Sequence, residues 1–235
     1  MGVDKHRQKL HFEEVRRRVY GLMERFSSKA WLFQQKNAPR NLVVGSQYDS
    51  ISCGIWDAFC STCQTEQTYR QKLELWKNVY LSIEPVLTRY ALFLVGSTMS
   101  GLGLNDSDVD MCLLVKRHLD DARQDALDQL THIYTFLKTE NIYLNTEMIH
   151  AKVPILKFED ANHNIRVDLN CNNAVGIRNT HLMQCYASMD WRVQPLVIVV
   201  KLWAKANNVY DAKRMRLSSY SLTLMVINYL QCKFT

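Results

Sequence analysis

The chain has 235 residues, 47% hydrophobic and 22% charged, with a formal net charge of +6. That balance is expected of a soluble globular protein with a real core, and no internal repeat or low-complexity tract interrupts it. No apolar run reaches the ~18–20 residues that span a bilayer, and the opening MGVDKHRQKLHFEE lacks the apolar core of a secretory signal.

The positive charge is concentrated at the start. Residues 1–40 hold ten Lys/Arg against four Asp/Glu, and residues 41–235 carry 19 of each. Residues 1–50 read as a basic extension, with one helix over about 11–36 and then the turn-rich Asn37–Ser52. Arg16, Arg17, Arg18 and Arg25 stand among Tyr20, Phe26 and Trp31. The pattern suits nucleic-acid phosphates, and equally a solvated amphipathic helix or a segment that docks to another protein. Gly2 is not followed by Ser or Thr at the myristoylation position, so no lipid anchor is expected.

Gly54–Thr62 and Thr65–Tyr90 read as the next helices. In the second, Leu73, Trp76, Val79, Tyr80, Ile83 and Leu87 recur at helical spacing as a core stripe, with Pro85 as a candidate kink. Cys60-x-x-Cys63 has no second pair and lies in a helical stretch, so no zinc site is expected there. Without a signal peptide, the seven cysteines read as reduced thiols of the cytosol or nucleus.

The stretch FLVGSTMSGLGLNDSDVDMCLLV carries the most chemistry. Phe93–Val95 and Met111–Val115 read as short buried strands. Gly96-Ser97 ends the first, offering bare backbone N–H groups and a hydroxyl at the entry to a helix, which suits a phosphate. In Asp108-Val109-Asp110 the strand period of two puts both carboxylates on one face. An isolated Asp-x-Asp is more often a solvated turn. Here Asp110 runs directly into Met-Cys-Leu-Leu-Val, an awkward place for an unpaired charge, and a divalent cation would keep both groups ionised. A metal-holding and a phosphate-holding device side by side point to phosphoryl transfer.

A helix is expected over Leu119–Glu140. Lys152–Phe158 and Asn164–Asn170 then read as paired strands around a Glu159–His163 turn. Ile165, Val167 and Leu169 alternate with Arg166, Asp168 and Asn170, so Asp168 stands mid-strand on the polar face. There it is a candidate third carboxylate; the alternative is a solvent-facing residue paired with Arg166 or a cross-strand lysine. Beyond Asn173 the chain turns helical, over about 178–188, 192–207 and 218–231.

The order Gly-Ser, Asp-x-Asp, strand Asp resembles the nucleotidyltransferase superfamily that includes DNA polymerase beta. VGIRNTHLMQCYASMDWRVQPLVIVVKLWAKANNV and LSSYSLTLMVINYLQ narrow the resemblance to the cytoplasmic, atypical poly(A) RNA polymerases and the related terminal uridylyltransferases, closest to the germline-development type. It runs from about Trp56 to the last residue. The resemblance implies an α+β fold, a mixed sheet with helices at 91–172. Helices at 51–90 would pack on a helical central domain that starts at 173–235 and looks truncated, with the base-reading loop expected past Thr235. It implies that Asn179 and Thr180 contact the ribose, that Lys201 and Lys205 bind the triphosphate, and that Ser219 and Tyr220 cap the phosphate and stack on the base. Asp108, Asp110 and Asp168 would hold Mg²⁺, with Mn²⁺ as substitute, in a two-metal site. The activity implied is untemplated addition of AMP from ATP to RNA 3′ ends in the cytoplasm, with RNA-binding protein adaptors as partners and no membrane. A terminal uridylyltransferase and an inactive RNA-associated scaffold remain alternatives.

Overall fold

The computed structural model describes residues 2–33, 37–87, 89–116, 118–209 and 217–233. Helix α1 (Gly2–Ser27) is followed by a short 3-10 turn (Ala30–Phe33), α2 (Asp49–Thr62) and α3 (Glu66–Ile83). Then come β1 (Tyr90–Val95), the one-turn α4 (Ser97–Ser100), β2 (Val109–Val115), α5 (Ala122–Leu137) and the strands β3 (Tyr143–Ile149), β4 (Ile155–Asp160) and β5 (Ile165–Cys171). Helices α6 (Ala174–Met189), α7 (Val193–Ala206) and α8 (Ser219–Lys233) close the order.

The strands form one sheet, β1-β2-β5-β4-β3, antiparallel except for the central parallel pair β2 and β5. A parallel pair needs a crossover, and α5, β3 and β4 supply it. Leu92, Leu94, Met111, Leu113, Leu156, Phe158, Val167 and Leu169 are buried in one cluster with α3 (Tyr69, Leu73, Trp76, Tyr80) and α5 (Leu130, Ile133, Leu137). Trp76 ties helix to sheet by donating Nε1–H to the Leu92 carbonyl (3.2 Å). A second cluster joins Met183 and Ala187 of α6, Val193 and Val197 of α7, and Val226, Ile227 and Leu230 of α8.

Several expectations need correction. Helix α3 ends at Ile83 instead of kinking at Pro85, because proline has no N–H to donate and its ring clashes with the preceding turn. It is also not part of the helical half: α2 packs on α7 through Trp56, Phe59 and Ile198, whereas α3 covers the sheet. Helix α5 starts at Ala122, not Leu119, since Asp121 caps it and Asp125 takes the Leu119 N–H. Strand β3 had no period-2 signal, being an exposed edge with Leu144 and Glu147 around a register shift at Asn145 (φ 51°).

The basic N-terminal segment is a helix whose C-terminal half is bound to the body. Val15 and Val19 are buried, Phe26 meets Trp76 edge-on with centroids 5.0 Å apart, and Tyr69 donates to the Phe26 carbonyl (2.9 Å). Arg17, Arg18 and Arg25 are exposed; the side chains of Arg16 and Trp31, and residues 34–36, lie outside the described ones. Among the described residues no helix is long and apolar enough to cross a membrane, and none of the seven cysteines is in a disulfide.

Candidate active site

Cross-strand register builds the site. Val95 of β1 pairs with Asp110 of β2, Asp110 with Asp168 of β5, Asp168 with Lys157 of β4, and Lys157 with Glu147 of β3. Because side chains alternate, Asp110, Asp168 and Lys157 stand in one row on the face opposite the buried cluster. Asp108 lies just before β2 and opposite Arg166.

Gly96 closes the row at the β1 end. Its φ is +70°, and an added Cβ would overlap the Asp110 carboxylate, with Cγ only 2.9 Å away. Glycine is required twice over, for the backbone angle and for the contact. Its N–H is not bare, as the sequence suggested. It donates to Thr180 Oγ1 (2.8 Å), and Thr180 donates in turn to the Gly176 carbonyl (2.7 Å), fastening the β1 turn to α6.

Charge is crowded here. The Asp110 residue keeps some open surface, but its carboxyl is enclosed. Burial, then Asp168 and Asp108, push its pKa up to about 7 against the pull of Lys157 and Lys72. Lys157 Nζ donates to both oxygens of Asp168, and Arg166 Nε donates to Asp108 Oδ1 (2.8 Å). Carboxylates this close repel, and the outer two have each taken the nearest cation. In consequence no three His, Cys, Asp or Glu among the described residues converge in a metal-holding group. The expected convergence of all three on one ion is therefore not the arrangement of the side chains. The donors nonetheless fit a hard divalent cation: neighbouring carboxylate oxygens, with ammonium and guanidinium groups standing in. Asn170, two residues past Asp168 on the same face, leaves Oδ1 buried without a hydrogen-bond partner.

A cleft of about 300 Å³ opens beside Asp110. Gly96, Ser97, Asn179, Thr180, Lys201, Ser219 and Tyr220 line it, together with Asn170. Asn179 and Thr180 lie inside α6, not at its start, and Tyr220 donates to Asn179 Oδ1 (3.4 Å). Ser218 accepts from the Ser221 N–H, so the capping role falls to Ser218, and Ser219 lines the cleft. Lys201 donates to the Leu102 carbonyl (2.6 Å), and burial draws its pKa down to about 8 despite Asp110. Lys205 is elsewhere: largely exposed, it pairs with Asp106 (3.2 Å). Asp108 faces a second, polar groove of about 650 Å³ with Asp106, Glu159, His163 and Arg166.

Two cations were not singled out from sequence. Lys157 is the cross-strand lysine raised as the alternative partner of Asp168, but only the register shows which lysine it is. Lys72 interrupts the apolar stripe of α3. It is 1% exposed and donates to Gln64 Oε1 (2.8 Å) and Ser107 Oγ (3.2 Å). Burial lowers its pKa to about 8 while Asp110, Asp108 and Asp106 pull it back up.

The family described as "Poly(A) RNA polymerase, mitochondrial-like, central palm domain" matches residues 51–188. The chain belongs to this family. A poly(A) RNA polymerase gld-2 homolog B of Drosophila melanogaster is 42% identical over an alignment of 223 positions that covers 88% of this chain and 16% of that protein. The solved GLD-2/RNP-8 complex superposes with a TM-score of 0.76 at 43% identity, over 81% of this chain and 59% of that one. The Cid1 poly(U) polymerase bound to Mg 3′-dATP superposes with a TM-score of 0.68 at 25% identity, over 78% and 56%. The mixed sheet with its helices is thus the polymerase-beta-like nucleotidyltransferase fold, α+β as expected.

Proposed function

We propose that this chain carries the catalytic centre of an RNA 3′-terminal adenylyltransferase, adding AMP from ATP without a template. The observation that carries the reading is Gly96 packed on the Asp110 carboxylate at the mouth of a cleft lined by Ser97, Asn179, Lys201, Ser219 and Tyr220. A phosphate needs the hydroxyls and the cation, a ribose the amide, and a base the exposed face of Tyr220.

Asp108, Asp110 and Asp168 would hold Mg²⁺, with Mn²⁺ as substitute. A bound divalent ion supplies charge neutralisation at the phosphates and acidifies the attacking 3′-hydroxyl. The residues themselves divide the space. Asp110 borders the nucleotide cleft and Asp108 the polar groove, so donor and acceptor would meet across the carboxylate row. Lys201, unable to leave its buried position without cost, is suited to a fixed β,γ-phosphate contact. Thr180, with its proton given to Gly176, holds the Gly96 turn and keeps only acceptor capacity for the sugar. Lys205 reaches a triphosphate only by releasing Asp106.

On this reading residues 91–172 bear the carboxylates and 173–235 form the opposite wall, with 51–90 split between them and 1–50 as the N-terminal extension. The protein would act in the cytoplasm, recruited to messages by RNA-binding adaptors; that it takes protein partners is supported by the solved complex of GLD-2 with RNP-8. Addition of UMP is the second reading, favoured by the likeness to the Cid1 poly(U) polymerase. Incubation with labelled RNA and each nucleotide in turn separates them. Extension with ATP is expected, extension with UTP alone would favour the second reading, and extension with none would remove both.

A further inference from the structure

We propose that Lys157 is a stand-in cation: it holds Asp168 in an ion pair and yields it when a divalent cation binds the carboxylate row, and so sets the affinity of that site. The inference rests on the reading of the row as a metal site.

The register is the first support. Asp168 lies between Asp110 on one neighbouring strand and Lys157 on the other, all three on one face. A cation shared by Asp110 and Asp168 would therefore come within about one strand spacing, roughly 5 Å, of the Lys157 ammonium. Second, the pair is built in. Both side chains are about three-quarters buried, at 26% and 22% exposure, and both are carried by interior strands, so the sheet sets their distance. Third, the one ammonium engages both Asp168 oxygens. An incoming cation that takes either oxygen must break a charge-assisted bond.

The neighbouring cations are placed differently. Arg166 holds Asp108 but is 66% exposed, where an ion pair is worth little. Lys72 is committed to Gln64 and Ser107. Lys157 alone among these is enclosed and bonded to a strand carboxylate of the row. The two consequences of removing it have the same sign: no ion pair is lost when the metal binds, and no like charge remains beside it. If Lys157 merely braced the sheet, removing it would lower stability and leave cation affinity alone. If it bound only RNA phosphate, removing it would weaken RNA binding and again leave cation affinity alone.

The test is titration of the full chain with Mn²⁺, the free ion followed by electron paramagnetic resonance, using Asp110→Asn to identify the binding that belongs to the row. Lys157→Gln, and Lys157→Met should the first fold poorly, are expected to tighten that binding roughly three- to tenfold. Their melting temperature should also rise more on Mn²⁺ addition than that of the parent chain. Lys157→Arg, which keeps the charge, should bind like the parent. Equal or weaker Mn²⁺ binding by the charge-free variants overturns the role of Lys157 and leaves the metal site standing. Absence of Asp110-dependent binding in every variant overturns both.

Discussion

The α-carbon of Gly96 lies against the carboxylate of Asp110, leaving no room for a β-carbon between the end of β1 and the start of β2. The Gly96 turn and the Asp110 carboxylate are thus packed as one unit, fastened to α6 by Thr180. If that unit is the reacting centre, disturbing its spacing should cost activity more than stability.

Gly96→Ala tests this. The substitution forces a Cβ into the carboxylate and a non-glycine residue to φ +70°. Stability should fall by about 1–3 kcal/mol, while nucleotide addition should fall on the order of 100-fold, since a misplacement of about 1 Å is enough for that. Melting curves and an RNA extension assay read the two effects. Near-parental activity would mean that the contact does not position Asp110.

Asp110 also gives a pH signature in metal-free buffer. Its folded pKa, about 7, lies above the ordinary 3.8, so the stability it contributes is fully present below about pH 4 and is lost as pH rises towards 7. Asp110→Asn removes that loss. The variant should melt several degrees above the parent chain at pH 8, with the gap closing towards pH 4. A variant less stable than the parent at pH 8 would show that the carboxylate is not strained by its neighbours.

Lys72 and Lys201 have the opposite signature. Their folded pKa values, about 8, lie below the ordinary 10.5. The unfolded chain then binds more protons above pH 8, so stability should rise from about pH 8 to 9; beyond that Cys112, whose thiol burial pushes up to about 11, works against the rise. Lys72→Met should abolish roughly half of the rise, which denaturant melts at pH 7, 8, 9 and 10 will show. A parent chain with no slope between pH 8 and 9, and a Lys72→Met variant with the same profile, would place both ammonium groups in contact with water.

The N-terminal helix is tested by contrast between its faces. Val19 is 1% exposed in the core cluster, and Arg17 is exposed. Val19→Asp should cost about 3 kcal/mol or more, because it buries a charge with no partner, whereas Arg17→Ala should stay within about 0.5 kcal/mol. Removing residues 1–40 should therefore damage folding, beyond any loss of RNA contact. An unaltered melting temperature after Val19→Asp would make α1 a loosely attached arm.

Much of this was legible in the sequence where one element suffices. The period-2 alternation around Asp168, the apolar runs flanking Asp108-Val109-Asp110 and the KVPILKF run located four of the five strands, β1, β2, β4 and β5, and Gly96-Ser97 marked the turn between β1 and β2. What was hidden depends on register and distance. The Lys157–Asp168 pair exists only once β4 and β5 are aligned, and Thr180 reaches Gly96 across 84 residues. Strand β3 escaped because an exposed edge buries too little to alternate. Lys72 was visible as a charge on the α3 stripe, but its partners, Gln64 and Ser107, come from outside that helix.

The central claim is that the row Asp110–Asp168 beside the Gly96 turn performs nucleotide addition. Extension of a labelled RNA with ATP and Mg²⁺, comparing the parent chain with Asp110→Ala and Asp168→Ala, addresses it most directly. The account predicts a ladder of added nucleotides for the parent and a loss of about 10³-fold or more for each variant, with both still folded. A variant that keeps more than about a tenth of the parental rate, folded and freed of contaminating enzyme, would contradict it.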